Sequence, residues 1–252
     1  MSTDFVAVIP ARYASTRLSG KALADIAGRP MIEWVYRRAA ASGAREVIVA
    51  TDDERIALAA RGFGARAEMT AASHASGTDR IAELARRLNW DDRQIVVNVQ
   101  GDEPLIAPAL IAQTAALLRA RPAAAIATLI APLASAEFRD PNFAKVVLDR
   151  EGYALYFSRA PIPWPREGEP AIARRHIGLY AYRTAELKTL AAAGPCALEE
   201  VERLEQLRAL WLGLKVAVAE AVAAATPHVD TPEDLVKIRA YIEANGKRVD
   251  QP

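Results

Sequence analysis

Phe5-Val6-Ala7-Val8-Ile9-Pro10-Ala11-Arg12-Tyr13-Ala14-Ser15-Thr16-Arg17-Leu18-Ser19-Gly20-Lys21 is the stretch whose reading decides the fold. Phe5 to Ile9 is an apolar run rich in β-branched residues and too short to span a bilayer. It predicts a buried parallel strand, ended by Pro10 because proline donates no ladder hydrogen bond. The residues that follow are of opposite character: Arg12, Arg17 and Lys21 supply charge, and Ser15, Thr16 and Ser19 supply hydroxyls around Gly20. Open α/β sheets bind ligands just past the carboxyl ends of their strands. Hydroxyls, backbone N–H groups and cations there suit phosphate oxygens, so the loop is read as a polyphosphate holder rather than a solvated basic turn. The spacing matches neither the Walker loop nor the dinucleotide fingerprint.

Composition narrows the class. The chain has 252 residues, 52% apolar and 25% charged, enough for one sizeable core or two unequal lobes. A net charge of +1 gives no global attraction to nucleic acid or acidic membranes. Cys196 is the single cysteine, so an internal disulfide framework is excluded. The amino-terminal residues lack the pattern of a signal peptide, and a soluble, cytoplasmic protein is expected.

Strand and helix signals alternate through the first half. Met31 to Ala41 has helical periodicity, Glu46 to Ala50 is a second buried strand, and Thr51-Asp52-Asp53-Glu54 opens a helix. A helix over Arg80–Leu88, a strand over Gln94–Gln100 and a helix over Pro108–Ala120 continue the parallel α/β pattern. From Ala123 the texture shifts to short alternating runs, including Ala125–Leu133, Ala144–Asp149 and Ile177–Tyr182. Leu198 to Gly213 reads as one periodic helix, Leu214 to Val222 as a strand, and Thr231-Pro232-Glu233-Asp234 as the start of a last helix. The expected organisation is a main nucleotide-binding lobe over about 1–122 and 190–252, with a β-rich lobe over about 123–189 inserted in it.

Several polar residues stand out against this frame. Asp102 follows a strand in VNVQGDEP; it is either a ligand for a hard cation such as Mg²⁺ or a turn aspartate bonding its own backbone, and Glu103 competes for the same role. Asp230 is surplus to the helix cap made by Thr231 and Asp234, which leaves a second metal carboxylate or helix-terminus electrostatics. Ser76-Gly77-Thr78-Asp79-Arg80 enters a helix, either as an ordinary cap at Thr78 or Asp79 or with Ser76 and Arg80 beside a base or phosphate. His176 and Tyr180 share one face of a strand by period two, and Arg159, Arg174 and Arg175 nearby favour an anionic partner. The three histidines and lone cysteine argue against zinc or thiol chemistry.

Taken in order, PARYASTRLSGKAL, VATDD, SGTDRIAE, VNVQGDEP, KVVLDREGYALYFSRAPIPW, RHIGLYAYR, LEQLRALW and VDTPEDL resemble the 3-deoxy-manno-octulosonate cytidylyltransferases, or CMP-Kdo synthetases, over essentially the whole chain. YALYFSRAPIPW and LEQLRALW are the specific segments, whereas the first loop is shared with CMP-sialic acid synthetases and other nucleotidyltransferases. The resemblance implies a three-layer α/β/α nucleotide-diphospho-sugar transferase fold with a mixed, mostly parallel sheet, Mg²⁺ as cofactor and a homodimer. It implies that the anomeric hydroxyl of Kdo attacks the α-phosphorus of CTP, giving CMP-Kdo and pyrophosphate for lipopolysaccharide synthesis. Carried over by position, Arg12, Ser15 and Lys21 would hold the triphosphate, Ser76 and Arg80 would lie near the cytidine, and Asp102 and Asp230 would hold Mg²⁺. Gln100, beside both substrates, would line the sugar site with Arg159, His176, Tyr180, Glu205 and Gln206.

Phosphoryl-centre chemistry of this kind needs positioning and charge neutralisation more than covalent help. The chain departs from the family at Leu18-Ser19-Gly20-Lys21-Ala22-Leu23, where Leu-Pro-Gly-Lys-Pro-Leu is usual, and in a short stretch between Trp164 and Arg174. The alternatives are a cytidylyltransferase for 8-amino-Kdo or a sialic acid, and a non-catalytic nucleotide-binding protein. Intact Lys21, Asp102 and Asp230 weigh against the last. A glycosyltransferase would carry Asp-x-Asp after the central strand, and Gly101-Asp102-Glu103 does not supply it.

Overall fold

From the amino end, the chain runs as β1 (Phe5–Ala11), a 3-10 turn (Lys21–Leu23), a small antiparallel pair β2 (Asp25–Ile26) and β3 (Arg29–Pro30), α1 (Met31–Ala40), β4 (Glu46–Thr51) and α2 (Glu54–Gly62). It continues through β5 (Arg66–Met69), α3 (Gly77–Arg87), β6 (Ile95–Asn98), α4 (Pro108–Ala120), β7 (Ile126–Pro132), β8 (Lys145–Leu148), β9 (Ala154–Ser158) and β10 (Arg174–Arg183). Helices α5 (Thr184–Ala193), α6 (Ala197–Glu202) and α7 (Leu207–Trp211), strand β11 (Val216–Glu220) and helix α8 (Pro232–Val249) complete it. The structure, a computed structural model, describes residues 4–14, 18–74, 76–168 and 172–249.

The main sheet has the order β11-β7-β10-β6-β1-β4-β5, with β8 and β9 attached beside β10. β1 pairs in parallel with β4 and β6, and β5 and β11 are parallel to their neighbours β4 and β7. β10 alone in that row runs antiparallel, between β6 and β7. The sheet is therefore mixed and mostly parallel, as expected.

The apolar run of β1 is continuous because both faces are covered. Phe5, Ala7 and Ile9 face a core shared with Ile32, Val35, Ile56, Leu110 and Ile111, from α1, α2 and α4. Val6 and Val8 face the opposite core, with Ile81 and Leu84 of α3 and Leu187 and Leu190 of α5. Each fully buried side chain of this size stabilises the fold by about 1.5–3 kcal/mol relative to exposure. β1 passes through Pro10 rather than ending at it. Pairing with β6 stops at Val8 and Asn98 while pairing with β4 continues to Ala11 and Thr51, so the absent proline N–H lies beyond the β6 ladder.

The structure differs from the sequence reading in other elements too. The periodic stretch 198–213 is not one helix: α6 ends at Glu202, Arg203 takes φ +54°, and α7 restarts at Leu207. The Arg159 guanidinium accounts for the break by drawing out the carbonyls of Glu202 and Arg203, at 2.7 and 3.3 Å, that a continuous helix would use. The edge strand β5 and helix α5 carry weak periodic signals and were not anticipated. The boundary drawn at residue 123 does not coincide with an edge of the sheet, because β7 and β10 are interior strands. What projects from the sheet within 123–189 is the antiparallel β8–β9 pair and its loops.

Candidate active site

The carboxyl ends of β1, β4 and β6 open on one side of the sheet, as a parallel arrangement requires. Gly101 permits the closest approach there: a Cβ at this position would sit 2.9 Å from the Pro10 carbonyl oxygen. Asp102 is thereby turned back towards the β1 loop. That loop is closed by the Gly20 N–H, which donates to the Tyr13 carbonyl at 3.0 Å, with Gly20 at φ +67°. Lys21 follows at once, and its Nζ donates to Asp102 Oδ2 at 2.7 Å, Asp230 Oδ1 at 3.1 Å and the Val229 carbonyl at 3.2 Å. The Val229 N–H donates in turn to the Asp102 carbonyl at 2.9 Å, tying the two carboxylate-bearing turns together.

The helix cap at α8 is as expected. The Asp234 N–H donates to Thr231 Oγ1 at 3.2 Å, and Asp234 Oδ2 accepts from the Asp230 and Thr231 N–H groups at 3.2 and 3.1 Å. Asp230 thus gives only its backbone to the cap and turns a carboxylate oxygen to Lys21.

His228, which the sequence reading passed over, sits beside this pair, with Nδ1 3.6 Å from Asp102 Oδ1 and 3.3 Å from Glu103 Oε1. Burial pushes the Asp102 carboxyl up, but hydrogen bonding to His228 and the charge of Lys21 outweigh it and bring the group to about 2. Glu103 is raised to about 7, by burial first and with the Asp102 charge adding to it. Burial also works against His228, yet Asp102 and Glu103 raise it to about 9. The neighbouring carboxylates therefore differ: Asp102 is held as an anion, whereas Glu103 is buried and pushed towards the protonated form.

A cavity of about 260 Å³ extends from Lys21, Asp102 and Asp230 past Arg12, Gly101 and Gln100 to His74, Ser76, Gly77 and Arg80. Ser76, rather than Thr78 or Asp79, caps α3: its Oγ accepts from the Asp79 N–H at 3.1 Å and donates to Asp79 Oδ2 at 2.9 Å. The buried Arg80 is anchored by Thr70 Oγ1 and by Asp52 Oδ2, the latter at 2.8 Å. Ser15 lies outside the described residues.

A second cavity, of about 390 Å³, shares Gln100 and Asp102 with the first and continues to Arg159, Arg175, His176, Tyr180, Glu205 and Gln206. Its wall is a directed hydrogen-bond chain. Tyr180 Oη donates to Gln206 Oε1 at 3.0 Å, and Gln206 Nε2 lies 3.4 Å from His176 Nδ1. His176 Nε2 is 2.9 Å from Thr128 Oγ1, which reaches the Ile177 and Leu179 carbonyls at 3.0 and 2.8 Å. This order of donors fits a neutral imidazole accepting at Nδ1, and burial holds His176 down at about 3. Arg159 lines the cavity but spends its nitrogens on the Glu202, Pro141 and Arg203 carbonyls. Glu205 is raised by burial and lies against Tyr180 and Tyr182.

A cytidylyltransferase family model matches residues 6–216. The 3-deoxy-manno-octulosonate cytidylyltransferase of Pseudomonas fluorescens is 52% identical, over 97% of this chain and 100% of that protein. The protein of the same name from Vibrio vulnificus is 51% identical, over 96% of this chain and 100% of its own length. The chain belongs to this cytidylyltransferase family. A solved structure of CMP:2-keto-3-deoxy-manno-octonic acid synthetase complexed with CTP superposes with a TM-score of 0.88 at 43% identity, covering 95% of this chain and 98% of that one.

Enzymes of this family generally use a divalent metal, and the donor set here fits one. Asp102, Asp230 and the Val229 carbonyl converge their oxygens on a single cationic atom, Lys21 Nζ. Among the described residues no cluster of three or more His, Cys, Asp or Glu is placed to hold a metal, so Asp102 and Asp230 would need substrate phosphates and water to complete a coordination shell. No helix among the described residues is long and apolar enough to cross a membrane.

His74 and Tyr182 also belong to the site's surroundings and were not anticipated; each reads in sequence as an ordinary loop or strand residue. His228 could have been noticed, standing two positions before Asp230.

Proposed function

We propose that this protein activates Kdo by transferring CMP from CTP, releasing pyrophosphate and forming CMP-Kdo for lipopolysaccharide synthesis. The observation that carries the reading is the joining of two cavities at Gln100 and Asp102: one has phosphate-type cations and paired carboxylates, the other a polar, cationic wall. In the transfer, a bond forms between the sugar's anomeric oxygen and the α-phosphorus, and the bond from that phosphorus to the pyrophosphate oxygen breaks. The sugar hydroxyl gives up its proton to water, and pyrophosphate leaves with the electron pair of the broken bond.

Arg12 and Lys21, with Ser15, hold the triphosphate; Ser76 and Arg80 lie near the cytidine, and Gln100 stands between nucleotide and sugar. Asp102 and Asp230 hold Mg²⁺, which when bound neutralises phosphate charge and polarises the phosphorus centre. Lys21 is already in contact with both carboxylates, so a short movement of its flexible stem brings the ammonium to a phosphate oxygen. Arg175 offers the sugar's carboxylate a cation: its guanidinium meets Glu137 at 3.5 Å and covers the Phe143 ring while facing the second cavity. Neutral His176, Tyr180 and Gln206 form a pre-ordered wall for sugar hydroxyls, and the rigid chain behind them fixes the attacking oxygen's position.

Pyrophosphate release with CTP and Mg²⁺, offering Kdo, 8-amino-Kdo and N-acetylneuraminic acid in parallel, tests the reading. Release with Kdo is expected. Release only with another acid sugar replaces the substrate and keeps the reaction. CTP binding without release from any of them makes the protein a nucleotide-binding one.

We also propose a homodimer. Ile130, Val146, Leu148, Ile172 and Val218 line an apolar hollow, Ile172, Leu155 and Trp164 are exposed, and a second copy is the hollow's proposed occupant. Light scattering after size exclusion should give twice the 27.2 kDa chain mass.

A further inference from the structure

His74 lines the first cavity together with Ser76 and Arg80. Its Nε2 is taken: Glu83 Oε2 lies 2.5 Å away. The same Glu83 oxygen accepts from the Ala71 N–H at 2.8 Å, and Arg87 stands 3.5 Å from the other oxygen. The carboxylate is thus fixed at both ends and acts as acceptor only, which places the imidazole proton on Nε2. Nδ1 is the nitrogen left for a ligand, and in the neutral ring it is an acceptor.

Its neighbour Arg80 presents the opposite property. Two of its nitrogens are held by Thr70 and Asp52, and every remaining N–H is a donor. A donor placed on O2 does not tell cytosine from uracil, because both bases carry that acceptor. They differ at N3, an acceptor in cytosine and an N–H donor in uracil, and at position 4, where cytosine has an amine that donates and uracil a carbonyl that accepts. At position 4 the group that favours cytosine is an acceptor.

We propose that His74, held by Glu83, is the specificity-determining residue that reads the exocyclic amine of the pyrimidine and favours CTP over UTP. This rests on the cytidylyltransferase reading and adds a base-reading role to it. With the ring proton on Nε2, Nδ1 accepts one amine hydrogen; with uracil it faces a carbonyl oxygen, and two acceptors are left unpaired. Losing one such pair in a partly buried site corresponds to about ten- to a hundredfold in preference. Glu83 is a positioning residue in this scheme, since it acts only through the ring.

The test compares kcat/KM for CTP and UTP, with Kdo as acceptor, in the wild type and in His74→Ala, His74→Asn and Glu83→Gln. Dissociation constants for the two nucleotides are measured alongside. His74→Ala should lower the CTP-to-UTP ratio about tenfold or more, with the loss falling on CTP. His74→Asn should keep most of the preference, because asparagine Oδ1 takes the place of Nδ1. Glu83→Gln should lie between them, since the amide can hold the ring in either tautomer. An unchanged ratio in His74→Ala, or equal losses for both nucleotides, overturns the proposal and leaves His74 a structural loop residue. Absence of turnover in the wild type would count against the reaction instead, and the binding ratio would still decide the role of His74.

Discussion

Lys21 Nζ lies 2.7 Å from Asp102 Oδ2, and the same nitrogen is 3.1 Å from Asp230 Oδ1. A single ammonium thus holds together two carboxylates that are far apart in sequence and would otherwise repel. Replacing it by alanine removes the cation proposed to bind phosphate and leaves the two anions facing each other. Lys21→Ala is expected to weaken nucleotide binding and to lower unfolding free energy by about 1–3 kcal/mol, since both partners are partly solvated rather than fully buried. Titration calorimetry with CTP and urea unfolding would measure the two effects. Unaltered CTP affinity would remove Lys21 from the phosphate site.

Asp102→Asn tests the metal assignment. The substitution preserves shape and removes the anion that Lys21 and His228 hold at about 2. Folding should persist, and turnover should fall by at least a hundredfold, in the range typical for loss of one charged group at a phosphoryl centre. Near-normal rates at saturating Mg²⁺ would show that Asp102 is not a metal ligand.

Arg159 separates support from recognition. Its guanidinium meets three backbone carbonyls, those of Pro141, Glu202 and Arg203, and its N–H and the Ser158 hydroxyl reach the Glu202 carboxylate at 2.9 and 2.6 Å. It therefore fixes the break between α6 and α7 that brings Glu205 and Gln206 to the cavity. Arg159→Lys cannot reproduce a planar fork on several carbonyls. The expected result is a several-fold rise in the KM for the sugar with the KM for CTP changed less than twofold. Equal changes in both would place Arg159 at neither site specifically.

The parts legible in sequence were those set by local rules. β1 declared itself because burial on both faces demands an unbroken apolar run, and the α8 cap because Thr231 and Asp234 bond within one turn. The resemblance supplied the site residues that no local rule yields. What stayed hidden depends on contacts distant in sequence. The helix break at Arg203 follows from Arg159, 44 residues earlier. The neighbouring Asp102 and Glu103 look alike as letters and differ only through depth, Lys21 and His228. His74 becomes informative only once Glu83 is seen to hold one of its nitrogens.

His176 carries a pH dependence whose sign follows from its surroundings. The folded ring resists protonation down to about 3 because it is buried, against 6.5 for an ordinary histidine. Between those values the unfolded chain binds the proton and the folded one does not, so stability from this group falls as pH falls. Its contribution is fully present above about 6.5. A glutamine at this position can still meet Thr128 and Gln206 but has no proton to take up. The thermal midpoint of the wild type should therefore drop more steeply from pH 7 to pH 4 than that of His176→Gln, about in proportion to one additional proton bound on unfolding. Calorimetry of both proteins across that range, where the carboxylate contributions they share cancel in the difference, measures it. Parallel curves would mean that the folded ring takes up its proton as readily as the unfolded one, and the neutral acceptor at Nδ1 would have to be abandoned in favour of a charged imidazolium facing the sugar.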